Sequence, residues 1–356
     1  MNKATKGIAT LGIAIAIVFS SCHTNDKGSF VNEEKFNMKD IETLKLEGAV
    51  MRFNDMIMNP VGVNMTDTLL FLKNRSTEYI YHIYNLNNNE KVNECLTIGQ
   101  GPDEFIFPLI VQSPDTNVWM FDRGKSILKK YNVSDLIGSH HPVSTKNISL
   151  KNQASDRVAV LSNGNILASI NRLPRGGFDR YDSNGVFLDS IGKFPELTSR
   201  SLSGSEKIQS FRNGFTTNLK DRIFISYGHT DLIEIYDYEG NCLKRMHGPD
   251  QIKLVMDIQS AGGDYVAAKP VKGESYMCYS HSPVCAGNEV FVLYLGELME
   301  NYQDRYSKMI VFDWDGNPLR MYELDIPIFT FTVDTDHRII YGITNSPEYM
   351  IIKYNY

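Results

Sequence analysis

The sequence predicts an all-β protein, a six-bladed β-propeller whose blades are four-stranded antiparallel sheets. The main observation is a repeat of six apolar runs, each followed by an aromatic residue after 13 to 15 residues, or after 22 in the fifth copy. The runs are residues 69–72, 118–121, 166–170, 223–227, 290–294 and 339–343, and the aromatic residues are Tyr84, Tyr131, Tyr181, Tyr236, Phe312 and Tyr354. A repeat of this kind indicates copies of one supersecondary unit.

The segments around these runs predict tight turns and two more strands in each unit. A polar turn precedes each run, and a second turn follows most of the aromatic residues, most clearly at 182–185 and 314–317. Gly and Asn accept positive φ in such turns, and Asp caps its own backbone. Successive units begin 48 to 67 residues apart. Four-stranded units of this length, repeated radially, are typical of propeller blades.

The sixth unit lacks an outer strand, because the chain ends at Tyr356, two residues after its aromatic residue. An alternating run at residues 41–46 belongs to no complete unit. We expect this N-terminal strand to complete the sixth blade and close the ring. Closure would remove an exposed sheet edge that could otherwise pair with another chain.

The N-terminus predicts export. Residues 1–21 carry two lysines, an apolar stretch of about 12 residues and two serines, as in a secretory signal peptide. Cys22 then stands where a bacterial lipobox has its lipid-modified cysteine, although Phe19 replaces the usual leucine. A conventional signal with an unrelated cysteine is the alternative. Residues 22–40 would form a flexible tether, and residues 41–356 would form the propeller. The lipid would be the only link to a cell-envelope membrane. The protein could then lie on either side of the outer membrane.

Charge and cysteine content limit the possible partners. The net charge is −6, with no basic block, so nucleic acid is not an expected partner.

In an oxidising compartment the four other cysteines need an explanation. Cys95, Cys242, Cys278 and Cys285 are expected to be free and mostly buried, with a Cys278–Cys285 disulfide as the alternative. We expect a monomer.

Residues 98–131 resemble an NHL-type repeat. The resemblance is carried by a Gly-x-Gly-Pro-x-Glu-Phe opening, a proline before the inner strand, an Asp turn and a Val-Trp strand. The opening comprises Gly99, Gly101, Pro102, Glu104 and Phe105. The chain from about residue 41 to 356 is similar to six-bladed NHL or TolB-like propeller lipoproteins, which implies the fold but little chemistry. From the residues themselves, the Glu104 carboxylate is expected to cap backbone amides of its glycine turn.

One face of the ring is the expected site. In a blade, the link between the second and third strands and the link to the next blade lie on the same face. The elaborated links 99–105, 249–272 and 296–307 all lie there, and long loops often carry function. The ligand-binding candidates on this face are Arg75, Arg123, Arg172, Arg175, His229, Glu297 and Asn345. Several arginines near one axis could bind a carboxylate, a phosphate or an acidic sugar.

Two functions are compatible with this face. The preferred one is a binding module for a small molecule, a glycan or a protein, with no confidently expected cofactor. The alternative is a metal-assisted hydrolase or lyase acting on a sugar acid, a lactone or a peptide end. It would require His229, His247 and His281 to bind a divalent metal together. No nucleophile elbow or phosphate loop supports other chemistry, so no catalytic residue is assigned.

Overall fold

A computed structural model describes residues 32–75, 77–150, 155–170, 177–198, 201–260 and 266–356 of the chain. Three short strands come first: β1 (Asn32–Lys35), β2 (Thr43–Leu46) and β3 (Ala49–Val50). Six antiparallel sheets follow in chain order and form the predicted six-bladed propeller. The fold class is therefore confirmed.

The blades are consecutive in sequence. Blade one contains β4 (Asn59–Thr66), β5 (Leu69–Arg75), β6 (Tyr81–Asn85) and β7 (Glu90–Cys95). Blade two contains β8 (Pro108–Val111), β9 (Val118–Asp122), β10 (Ile127–Tyr131) and β11 (Lys146–Ser149). Blade three contains β12 (Ser155–Val160), β13 (Ile166–Ile170), β14 (Phe178–Tyr181) and β15 (Phe187–Ile191). Blade four contains β16 (Asn213–Thr217), β17 (Arg222–Tyr227), β18 (Leu232–Asp237) and β19 (Cys242–His247).

Blades five and six are less regular. A hairpin of β20 (Met256–Ser260) and β21 (Val266–Pro270) precedes blade five. The inner strand of that blade is interrupted and consists of β22 (Tyr276–Tyr279) and β23 (Val284–Ala286). Both parts pair with the second strand, β24 (Glu289–Leu298). The third and outer strands are β25 (Tyr306–Phe312) and β26 (Pro318–Ile328). Blade six contains β27 (Thr330–Asp334), β28 (Ile339–Thr344) and β29 (Met350–Asn355). Two helices, α1 (Val133–Gly138) and α2 (Gly204–Ser210), and two 3₁₀ turns, Met38–Asp40 and Met299–Asn301, lie in links.

The hydrophobic core is divided among the six interfaces between blades. Each of six buried clusters contains residues of two neighbouring blades. Strand β9 shows how this arises, because Trp119 and Phe121 pack toward blade three while Val118 and Met120 pack toward blade one. Successive side chains of a strand point to opposite faces, and both faces of a blade are covered. The second strands therefore appear in the sequence as continuous apolar runs.

The repeated aromatic residues are all buried in these interfaces, with exposed fractions of 0 to 3%. Each lies directly opposite an aliphatic residue of the second strand. The pairs are Leu70–Tyr84, Val118–Tyr131, Ile166–Tyr181, Ile223–Tyr236, Val290–Phe312 and Ile340–Tyr354. Cross-strand pairs of this kind stabilise a sheet by roughly 0.2–1 kcal/mol each.

Residues 32–50 form an N-terminal strap along three blades. Strand β1 pairs in parallel with β19, β2 pairs in parallel with β26, and β3 pairs in antiparallel fashion with β29. Closure of the sixth blade by the N-terminus is confirmed, but β3 provides it. The expectation for residues 41–46 is wrong in detail, since that run adds a strand to blade five. Residues 32–40, expected to belong to the tether, lie against blade four.

The remaining features concern cysteines and membrane spans. Cys95, Cys242 and Cys278 are buried, Cys285 is half-buried, and all four are free thiols as expected. In the described part of the chain, no helix is long and apolar enough to cross a membrane. The predicted leader and Cys22 lie outside the described residues.

Removal of the strap should destabilise the ring. A leaderless chain beginning at residue 51 would lose the buried side chains of Phe36, Ile41 and Leu46 and expose the outer edges of blades four, five and six. We expect its melting temperature to fall by about 10 °C or more, with increased self-association, relative to a chain beginning at residue 32. Calorimetry and light scattering measure both effects, and equal melting temperatures would contradict this role of the strap.

Candidate functional site

The axial face is the end of the ring that bears the second-to-third-strand links and the blade-to-blade links. The elaborated link between blades four and five contains the β20–β21 hairpin, which packs beside α2. In blade five, β24 continues to Leu298, so the irregular link covers 299–305 rather than the expected 296–307. Residues 261–265 of the 249–272 excursion lie outside the described part.

The Gly-Pro-Asp-Glu element is a structural turn. The Glu104 carboxylate accepts a hydrogen bond of 2.7 Å from the Gly101 amide, as expected. A side chain at Gly99 would clash with that carboxylate, and Phe105 is fully buried against blade two. Lys125 Nζ binds the carbonyls of Gly101 and Glu104 at 2.6 and 2.7 Å. Gly99, Gly101, Pro102, Glu104 and Phe105 therefore shape a blade junction.

Arg157 lies in the axial channel, the space enclosed by the innermost strands. It is the third residue of the inner strand β12, and its Nη2 donates to Ser282 Oγ at 3.1 Å. Ser282 interrupts the inner strand of blade five, which is not a neighbour of blade three. The bond therefore spans the channel past blade four. The Arg157 guanidinium is half-buried, and burial lowers the pKa of this side chain.

Five other cationic side chains lie in or beside links at the same end of the ring. They are Lys73 and Arg75 in blade one, Arg123 in blade two, Arg212 before blade four and Arg305 in blade five. Among these five residues and Arg157, only Arg123 forms an ion pair within the described part of the chain. Its partner is Asp156, at 3.2 Å. Four other arginines pair with acids, namely Arg180, Arg222, Arg245 and Arg320. Among the described residues, the cations of this face other than Arg123 thus have no carboxylate within ion-pair distance.

The charges on this face influence one another. Burial, together with the positive charges of Arg123 and Arg75, lowers the pKa of Lys73 to about 8. Lys73 Nζ donates to the carbonyl of Pro108 at 2.6 Å, which holds it at the start of the inner strand of blade two. A bound anion would stabilise the charged form of this lysine.

His229 and His281 lie on this face between blades four and five. The His281 ring packs directly over Gly228, where any side chain would clash with it. Burial, Arg157 and His229 lower the pKa of His281 to about 4, and burial followed by Arg212 lowers the pKa of His229. Both rings are therefore neutral at pH 7. The Nδ1 atoms of both are buried without a hydrogen-bond partner.

The expected metal trio is not formed. His247 lies at the end of the outer strand β19, opposite Leu232, and its charged neighbours are Glu33, Arg245 and Lys35. It is thus on the rim of blade four, whereas His229 and His281 are near the axis. Within the described residues, no three His, Cys, Asp or Glu side chains form a group that could hold a metal ion. The metal assignment for His229, His247 and His281 is therefore wrong.

The other predicted site residues have mixed positions. Arg75 and Arg123 are exposed on the axial face. Asn345 accepts a hydrogen bond of 3.1 Å from Arg305 Nε, and Glu297 is exposed opposite Met277. Arg172 and Arg175 lie outside the described residues. Sequence reasoning missed Arg157 and Lys73 because both fall within strands, and only the positions of those strands in the blades would have indicated the axis.

At the opposite end of the ring, one side chain joins two inner strands. Gln112, directly after the inner strand of blade two, reaches the inner strand of blade four. Its Nε2 donates to the Thr217 carbonyl at 2.6 Å, and its Oε1 accepts from Thr216 Oγ1 at 3.1 Å. These bonds again join blades that are not neighbours.

Asp231 is a buried carboxyl group behind this face. Its exposed fraction is 1%. Oδ2 accepts from the Asp250 amide at 2.8 Å, and Oδ1 has no partner. Burial, reinforced by the Asp250 carboxylate, raises the pKa of Asp231 to about 7. The group is largely protonated in the folded protein at mildly acidic pH.

The fold and this face define a six-bladed propeller with one elaborated, cationic end. Residues 36–336 match the model of the TolB-like 6-blade propeller-like family, and the chain belongs to that family. A DUF4221 family member from Bacteroides vulgatus is 12% identical, with a TM-score of 0.50 over 87% of this chain and 98% of its own. A Bacteroides fragilis protein described as exported is 13% identical, with a TM-score of 0.55 over 91% and 98%. None of the curated proteins matches the chain.

The raised pKa of Asp231 predicts a specific pH dependence of stability. The folded state retains a proton that the unfolded state releases near the ordinary pKa of 3.8, so this group reduces stability as the pH rises toward 7. Asp231→Asn should therefore raise the free energy of unfolding more at pH 8 than at pH 5. The difference between the two effects should be at most ~2–4 kcal/mol. Urea denaturation at both pH values measures this difference. The exposed Asp315→Asn is the control, and an equal effect of Asp231→Asn at both pH values would contradict the raised pKa.

Proposed function

We propose that the protein is an exported, lipid-anchored envelope protein whose propeller binds an anionic ligand at its axial face. The ligand can be a small molecule, a glycan or an acidic group of a partner protein. Binding rather than catalysis is the function that the site residues favour.

The observation that carries this proposal is the set of axial cations for which the described residues provide no carboxylate partner. Arg157 is half-buried in the channel, and its hydrogen-bond partner in the described part of the chain is a serine hydroxyl. Leaving a cation unpaired in a partly desolvated position costs free energy. Arg180, Arg245 and Arg320 avoid that cost by pairing with acids. An anion bound at the axis would offset it with charge-assisted hydrogen bonds.

The electrostatic setting also favours anions at this face. The whole chain carries a net charge of −6, so the surface as a whole repels anions, whereas the axial mouth attracts them. Clefts lined by one sign of charge raise the local concentration of the oppositely charged ligand. The surrounding strands are rigid, so little ordering cost would accompany binding.

Export and anchoring rest on the leader and on Cys22. The relative from Bacteroides fragilis, which is described as exported, is compatible with this location. A diacylated or triacylated N-terminus would hold the propeller at a membrane without a spanning helix. The tether and the strap would then connect the lipid to the rim of the ring.

Arg157→Met should weaken anion binding while keeping the fold. Titration calorimetry at low ionic strength with phosphate, acetate and D-galacturonate should detect binding of at least one anion to the parent protein. Loss of the guanidinium should reduce that affinity by about 10- to 100-fold, as expected for charge-assisted hydrogen bonds. Arg222→Met is the matched control, because Arg222 pairs with Asp221 at the opposite end of blade four. Equal affinities of the two variants, or no anion binding at all, would overturn the proposal.

Cys22→Ala should release the protein from the membrane. Without the thiol no thioether lipid can form, so we expect the protein in the soluble fraction and no incorporation of radiolabelled fatty acid in a bacterial host. Cys285→Ala, which changes a half-buried thiol of the propeller, should leave both unchanged. Absence of label from the unsubstituted protein, or equal label in Cys22→Ala, would contradict lipidation at Cys22.

A further inference from the structure

We infer that anion binding at the axial face is coupled to the uptake of a proton by His281, so that the site holds its ligand more tightly at mildly acidic pH. This inference rests on the proposed anion-binding function and adds the way in which that site is regulated. Three features carry it, namely the fixed place of the His281 ring, two arginines joined to that place by hydrogen bonds, and a buried ring nitrogen without a partner.

His281 has a fixed position where the inner strand of blade five is interrupted. Its ring packs over Gly228, where a Cβ atom would lie 2.3 Å from the ring atom Cε1. Its carbonyl packs against Gly214, where a Cβ atom would lie 2.2 Å from the carbonyl oxygen. Two glycines of blade four thus leave room for the ring and the backbone of this residue, and the close packing holds both.

Two arginines are joined to this place by hydrogen bonds. Arg157 Nη2 donates to Ser282 Oγ at 3.1 Å, and Ser282 directly follows His281 in the chain. The carbonyl of Arg212 accepts from the amide of Gly228, the residue under the ring, at 2.9 Å. The positive charges of Arg157 and Arg212 both disfavour protonation of His281.

The other titratable groups that act on His281 are His229 and Asp156. His229 also disfavours a charge on the ring, whereas Asp156, which pairs with Arg123 at 3.2 Å, has a smaller effect in the opposite direction. Burial and the three disfavouring neighbours together lower the pKa of His281 to about 4. Its Nδ1 atom is buried and has no hydrogen-bond partner among the described residues, so the protein itself does little to stabilise an imidazolium ion here.

An anion held by Arg157 would change this balance. It would offset the strongest of the charges that disfavour the imidazolium ion, and it would bring a negative charge close to the ring. The pKa of His281 should then rise from about 4 toward the ordinary value of about 6.5. Between these two values the complex would carry a proton that the free protein lacks. By linkage, the affinity for the anion should increase as the pH falls through this range.

Titration calorimetry with D-galacturonate and with sulfate tests this coupling. Both probes keep their full charge between pH 5 and pH 7, so any pH dependence comes from the protein. We expect the affinity to be about tenfold higher at pH 5 than at pH 7, which corresponds to a rise of roughly two in the pKa of one histidine. Titrations at pH 5.5 in two buffers with different ionisation enthalpies should show uptake of more than about half a proton per bound anion.

His281→Gln identifies the group that takes up the proton. Lys73 and Asp231 also have altered pKa values, and the variant separates their contribution from that of His281. Glutamine retains polar hydrogen-bonding atoms but does not titrate, so proton uptake should fall nearly to zero and the affinities at pH 5 and pH 7 should become similar. His247→Gln is the matched control. The ring of His247 lies on the rim of blade four, and its removal should leave the proton uptake unchanged.

Nuclear magnetic resonance of the unsubstituted protein gives a measurement that does not depend on how well His281→Gln packs. The ring-proton shifts of His281 should titrate below pH 5 in the free protein and at least one pH value higher with saturating anion. In ligand-free Arg157→Met the pKa of His281 should also rise, because the nearby positive charge is removed. A ring that titrates at the same pH in all three samples would contradict the coupling.

The outcomes distinguish this inference from the proposed function. Arg157-dependent anion binding without proton uptake would overturn the coupling alone, and so would proton uptake that persists in His281→Gln. In both cases the anion site itself would stand. Absence of Arg157-dependent binding for every anion at both pH values would overturn the proposed function and the coupling together.

Discussion

The fold depends on one contact that recurs in every blade, the buried pair between an aliphatic residue of the second strand and an aromatic residue of the third. In blades one, four and six the aromatic residue also links neighbouring blades. The hydroxyl groups of Tyr84 and Tyr236 donate to Asp55 and to the Lys193 carbonyl at 3.0 and 2.8 Å, and that of Tyr354 donates to the Ile326 carbonyl. Asp55 and Lys193 lie in the segments that enter blades one and four, and Ile326 lies near the end of β26 in blade five. The same side chain thus fills an interface and fixes blade order.

Much of this architecture could be predicted because both faces of each blade are buried. Burial on both faces turns the second strand into a continuous apolar run, and the pair with the third strand fixes the spacing of the aromatic residue. The closing strand could not be assigned in the same way. Strand β3 has only two residues, Ala49 and Val50, both exposed, so no pattern marks it. The alternating run at 41–46 is a real strand, but sequence alone does not show that its partner is blade five.

The site was less predictable than the fold, for a related reason. Arg75 and Arg123 follow the apolar runs of the second strands in sequence, so the repeat placed them on the axial face. Arg157 lies inside an inner strand, and its importance depends on Ser282, 125 residues away. His247 was misassigned because position in the blade unit does not give distance from the axis. Glu104 was assigned correctly as a cap, because that role depends only on a local glycine turn.

The axis is where the repeat ceases to determine the structure. Between neighbouring blades, repeated side chains meet repeated side chains, and a substitution must preserve the packing of one interface. At the axis, inner strands of non-neighbouring blades meet, as in the Arg157–Ser282 and Gln112–Thr217 bonds. These contacts are made by residues that differ from blade to blade. The guanidinium of Arg157 has no carboxylate partner among the described residues, and the pKa of Lys73 is depressed. Both features cost folding free energy, which the ring can tolerate because six apolar interfaces stabilise it. A bound anion would offset both, so the departure from the repeat and the expected binding energy share one physical origin.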